Sequence, residues 1–157
     1  MNIQKKSLWN VPLFCVISGI VVYILSVQIL FPMAIVRLPD GVVTSNNTLV
    51  LIIYGAIFVV TLLIGGLVFF RNMTRKELVL SASIVVLYGA ILLFIQWAFR
   101  LRTGPAVLPM IYLFRPFEWC SFVSQIFFKI SDNLWLGAAV EVLTPYLFVL
   151  FGKKSSE

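Results

Sequence analysis

Within the apolar run LWLGAAVEVLTPYLFVLF, Leu134–Phe151, a single residue can carry a charge, Glu141. A carboxylate in such a stretch must pair, meet water or take up a proton, because an unpartnered charge in apolar surroundings is costly. Three other polar residues are spaced to meet it. Tyr88, Leu92, Gln96 and Arg100 recur every fourth position, so a helix there carries a polar stripe that ends in an arginine. Gln28 falls near the end of the first apolar run, at a similar depth. On an antiparallel packing Gln96 and Gln28 come within about two turns of Glu141, and the flexible stem of Arg100 can reach down toward it. The expected cluster of Glu141, Arg100, Gln96 and Gln28 can serve as a ligand or proton site, or as an ion pair that docks two helices.

A second set of residues, Arg102, Arg115 and Lys129, could join Arg100 in holding an anion such as a lipid phosphate. Interfacial arginines also snorkel without any ligand, and Arg115 has Glu118 three residues away as a local partner. Other chemistry is poorly served. The chain has no histidine, which removes the commonest general base and the usual zinc ligand. Cys15 and Cys120 do not form a CxxC pair, and no phosphate loop or nucleophile elbow is present. No catalytic residue, metal or cofactor is assigned, and acid–base catalysis would have to rest on Glu141, Glu118 or Asp132 alone.

The elements that must position these residues follow from composition. Of 157 residues, 61% are hydrophobic and 11% charged, with a mean hydropathy of +1.05, a balance that calls for lipid as solvent. Segments 11–31, 48–70 and 78–99 are free of acidic and basic side chains and long enough to span a bilayer as helices. Segment 134–151 is a fourth, with Pro145 expected to kink it. The fold class is an all-α integral membrane protein, a single polytopic transmembrane domain over residues 1–157. Small residues at Cys15, Gly19, Gly65, Gly66, Ala82, Gly89, Ala90 and Gly137 mark expected helix contacts. Trp9, Trp97, Trp119 and Trp135 fall where interfacial anchors belong.

Between the third and fourth spans the chain changes character. Gly104, Pro105 and Pro109 stop the third helix, and Arg115, Pro116 and Glu118 interrupt the apolar run that follows. Further on, Trp119, Phe122, Val123, Ile126, Phe127 and Ile130 recur at helical spacing opposite Ser121, Ser124, Gln125 and Lys129. Residues 106–130 are therefore expected to form an amphipathic element along the interface or a re-entrant one.

With the N-terminus inside, the inner segments hold Lys5, Lys6, Arg71, Arg75, Lys76, Lys153 and Lys154, and the longer outer segments hold Arg37, Arg100, Arg102, Arg115 and Lys129. The density of positive charge favours both termini in the cytoplasm, in a bacterial plasma membrane. The twelve Lys and Arg residues form no basic stripe, so nucleic acid is not an expected partner. Membrane lipid is, together with another membrane protein or a second copy of this chain. For function the leading expectation is a non-enzymatic accessory subunit or lipid- or protein-interacting partner. The alternative is a small transporter or ligand-binding protein that uses an outward polar cluster at Glu141, and a lipid-modifying enzyme comes third.

Overall fold

The computed structural model describes residues 7–37, 39, 41–100 and 107–154, so Lys5, Lys6 and Arg102 lie outside the described residues. Among the described residues, four helices are long and apolar enough to cross a membrane: α1 (Ser7–Ala34), α2 (Asn47–Phe69), α3 (Arg75–Ala98) and α6 (Leu134–Phe151). Most of their outward surface is Leu, Ile, Val and Phe, as expected of helices solvated by lipid. The chain is an all-α, membrane-embedded protein with one small exception. Strands β1 (Ile35–Arg37) and β2 (Val43–Ser45) pair antiparallel between α1 and α2, closed by Gly41 at φ +81°, a backbone conformation that favours glycine.

Local chemistry sets the helix ends. Asn46 caps α2 by accepting the Leu49 N–H at 3.0 Å. Thr74 and Glu77 form a reciprocal capping box, in which Thr74 Oγ1 accepts the Glu77 N–H at 3.3 Å and Glu77 Oε2 accepts the Thr74 N–H at 2.9 Å. That cap starts α3 at Arg75, ahead of the apolar run that marks it in the sequence. Thr74→Ala is expected to cost about 1 kcal/mol, read as a modest fall in the melting temperature of the purified protein. An unchanged melting temperature would show that the end of α3 is held mainly by its neighbours.

Those neighbours gather at one end of the bundle. The Lys153 N–H donates to the Met73 carbonyl at 3.0 Å and the Arg75 N–H to the Lys153 carbonyl at 3.1 Å. Ser81 Oγ donates to the Leu8 carbonyl at 2.7 Å and accepts the Val11 N–H at 3.1 Å, which pins the start of α1 to α3. Phe14, Phe70 and Phe148 stack edge to face above them, with Phe70 and Phe148 centroids 4.8 Å apart. The start of α1, the α2–α3 turn and the end of α6 therefore share one end, and the β-hairpin lies at the other.

The segment between α3 and α6 does not lie along the outside of the bundle. It is a helical hairpin of α4 (Val107–Leu113), a tight 3-10 turn (Arg115–Cys120) and α5 (Ser121–Ser131), and its tip is driven among the spans. Glycines make the sockets. A Cβ on Gly19 would overlap the Arg115 carbonyl, one on Gly55 would come within 2.9 Å of the Phe122 ring, and one on Gly89 within 2.6 Å of Phe117. Gly89 stands nine residues from the end of α3, roughly 14 Å of helix. The tip thus reaches well into the bundle, and α2 packs on the tip and on α5.

One expectation changes as a result. Trp119 is not an interfacial anchor: it is fully buried, stacked on Phe58 and packed against Phe148. α5 touches α2 at Gly55 and Phe58 on its apolar side and α6 at Gly137 on its Ser124 side, while its last turn, Phe128–Ser131, is exposed. At Pro145, expected to kink α6, the winding changes: from Thr144 the helix tightens to 3-10, which tolerates the missing N–H at its start. Of the small residues, Cys15, Gly19, Gly65, Gly66, Ala82, Gly89 and Gly137 are buried, while Ala90 faces outward.

Candidate functional site

Two polar centres occupy the half of the bundle that contains the hairpin. The first is built on α6. Ser131, Asp132 and Asn133 turn the chain back from α5, with Asp132 at φ +49° and Asn133 Oδ1 accepting the N–H groups of Trp135 and Leu136 at 3.0 and 3.3 Å. Gly137 then allows α6 to press against the backbone of α5: a Cβ there would sit 2.8 Å from the Ser124 carbonyl. One turn further on the same face is Glu141, roughly 10 Å along the helix from Leu134. Its carboxyl faces the Ser124 hydroxyl, and its backbone carbonyl lies 3.7 Å from Cys120 Sγ.

Glu141 forms part of the wall of a cavity of about 810 Å³ between α3, α6 and the hairpin. Gln96 reaches the cavity from α3, Phe114 and Phe117 from the hairpin, Trp135 from α6, and Asp132 with Asn133 from its rim. The structure therefore brings together two of the four residues expected to cluster, Glu141 and Gln96. Gln28 is exposed on α1 and does not line the cavity. Arg100 does not reach Glu141. α3 ends at Ala98, and Arg100 adopts φ +51° in the turn beyond, which takes it off the helical stripe and leaves it exposed.

The second centre was not legible as a site in the sequence. Arg115 and Glu118, at the hairpin tip, pair through Nη1 and Oε2 at 3.1 Å with side chains 18% and 22% exposed, the one ion pair among the described residues. The Arg115 guanidinium lies flat on the Tyr23 ring of α1, 3.4 Å from its centroid. Tyr54 of α2 donates its hydroxyl to Glu118 Oε1 at 3.4 Å and faces Ser26, which belongs to a stretch of π winding in α1. Arg115 is thus an internal residue, not an interfacial anion ligand, whereas Lys129 is exposed in the last turn of α5. The signal available in the sequence was the three-residue spacing of Arg115 and Glu118, together with Tyr23 and Tyr54, polar-tipped residues in apolar spans.

Chemically the two centres differ. The tip is internally neutralised, cation against carboxylate, with tyrosines completing the shell. The cavity holds carboxylates, an amide and aromatic faces around open space, which is an arrangement for binding. Neither cysteine is placed as a nucleophile: both are fully buried, out of reach of a substrate. No protein-family model matches the chain, and neither a curated protein nor a solved structure does.

Proposed function

We propose that this chain is a small ligand-binding membrane protein whose site is the cavity at Glu141. The observation that carries the reading is the cavity itself. About 810 Å³ is within the range of small-molecule sites, and polar groups from α3, from α6 and from the turn before α6 meet apolar residues in its lining. In this reading the α4–α5 hairpin re-enters the membrane and forms one wall, holding ligand against α3 and α6. Both termini face the cytoplasm. With Arg115 inside the bundle, the described positive residues divide into Arg71, Arg75, Lys76, Lys153 and Lys154 at the end shared by α2, α3 and α6, against Arg37, Arg100 and Lys129 at the other. The cavity then opens outward.

A screen of amphipathic compounds tests this. The protein in lipid nanodiscs should be stabilised against heat by a subset of them, and Ala138→Phe, which fills the cavity from its lining, should abolish that stabilisation while folding normally. If no compound favours the wild type over the filled variant, the cavity is not a ligand site.

One observation favours a second reading, an accessory subunit of a larger membrane assembly. Over Asn47–Ile64, α2 buries only Tyr54, and an apolar groove of about 620 Å³ runs between it and α1. A partner helix seated there would make the protein co-purify with another membrane protein in fixed stoichiometry, a result that free monomer in native extracts would contradict.

A further inference from the structure

Taking the cavity at Glu141 as a ligand site, on which this inference rests, we infer that its ligand is an organic cation, an ammonium group carrying an apolar body.

Charge is the first reason. Glu141 lies in the wall and Asp132 at the rim, and among the described residues no Lys or Arg lines the cavity. Two described cations of this half of the bundle are placed elsewhere. Arg115 is committed to Glu118 and to the Tyr23 ring, and Arg100 is turned away at the end of α3. Among the described residues Glu141 makes no ion pair, and its side chain faces the neutral hydroxyl of Ser124. A carboxylate so placed can be compensated by a cation from outside the chain, whose attraction offsets the cost of holding the charge in apolar surroundings.

The walls supply the second reason. Phe114, Phe117 and Trp135 present three aromatic side chains to the same space. Aromatic faces attract ammonium groups, and with a carboxylate beside them they form the arrangement that recognises quaternary amines.

Size is the third. About 810 Å³ is far more than a metal ion or a small inorganic cation needs. The apolar lining would reject a strongly hydrated ion and accept an ammonium whose charge is spread over alkyl groups. Asp132 stands in the turn before α6 and Glu141 roughly 10 Å along the helix from Leu134, so a cation meets one carboxylate at the rim and the other further in.

The test uses three probes of one shape, (4-hexylphenyl)trimethylammonium, its neutral tert-butyl isostere and 4-hexylbenzenesulfonate. Binding is measured by calorimetry against the protein in nanodiscs, with empty nanodiscs subtracted to remove partitioning. The ammonium should bind at least tenfold more tightly than the other two. Glu141→Gln should erase that preference, Glu141→Asp should retain it, and Asp132→Asn should weaken the ammonium about threefold. Equal binding of the neutral isostere or the sulfonate would overturn the cation while leaving the cavity standing as a ligand site. An ammonium preference that survives Glu141→Gln would overturn the role of Glu141. If none of the three binds, the cation is wrong, and the separate Ala138→Phe screen decides whether the cavity binds anything.

Discussion

Gly19→Ala is expected to lose about 3 kcal/mol of stability or more, an unusually large effect for adding one methyl group. The added carbon would overlap the carbonyl of Arg115, a backbone atom at the hairpin tip, so no side-chain rotation can relieve the contact. Either α1 moves outward or the tip withdraws. In both cases Trp119, Phe117 and Cys120, all fully buried, lose their packing together. Thermal unfolding in detergent, followed by size-exclusion chromatography, measures the loss. Ile20→Ala is the control, because Ile20 is next in the chain and exposed on the lipid side. If the two variants melt alike, the tip does not depend on its close approach to α1.

The second large effect concerns the tip's charges. Arg115→Ala should cost about 2–4 kcal/mol, somewhat below the figure for a fully buried pair because both side chains keep some exposure. Most of that cost comes from what remains: Glu118 without its cation, among the ring of Tyr54 and the apolar walls of the spans. Glu118→Ala leaves the opposite charge stranded on the Tyr23 ring and should cost a similar amount. The double variant Arg115→Met/Glu118→Leu removes both charges and keeps the volume, so it should be much less damaging than the sum of the singles. Additive losses in this double-mutant cycle would mean that the two residues act separately.

The spans were legible because they depend on composition alone: a run of lipid-compatible side chains marks a helix wherever it packs. The positions of Glu141 and Gln96 were legible too, since depth follows from counting residues along helices. Arg100 was misplaced because the four-residue stripe assumes that the helix continues, and here α3 stops two residues short of it. Residues 115–118 were harder to place for a different reason. Hydropathy charges Arg115 and Glu118 separately for burial, although one turn of 3-10 helix lets them neutralise each other. The small residues showed that something would approach closely, but not what. Gly19 receives the hairpin, Gly89 receives both the hairpin and Val142 of α6, and Gly55, not marked from the sequence, receives Phe122 of α5. Nothing in the pattern of Ile35–Arg37 and Val43–Ser45 marked strands, whose residues are all exposed and show no alternation of burial.

The three sockets also imply an order of assembly. Gly19, Gly55 and Gly89 all precede the hairpin in the chain, so during synthesis their helices emerge before the tip that fills them. Gly137 and Phe148, which close on the hairpin from the remaining side, come last. The first three spans form an open vestibule, the hairpin enters it as a wedge, and α6 is the bolt. Its final residues then pair with the backbone at Met73 and Arg75, at the far end from the hairpin's entry. A ribosome that stalls before α6 would leave a chain with its wedge unsecured, and a truncation before residue 134 should be cleared by membrane proteases instead of accumulating.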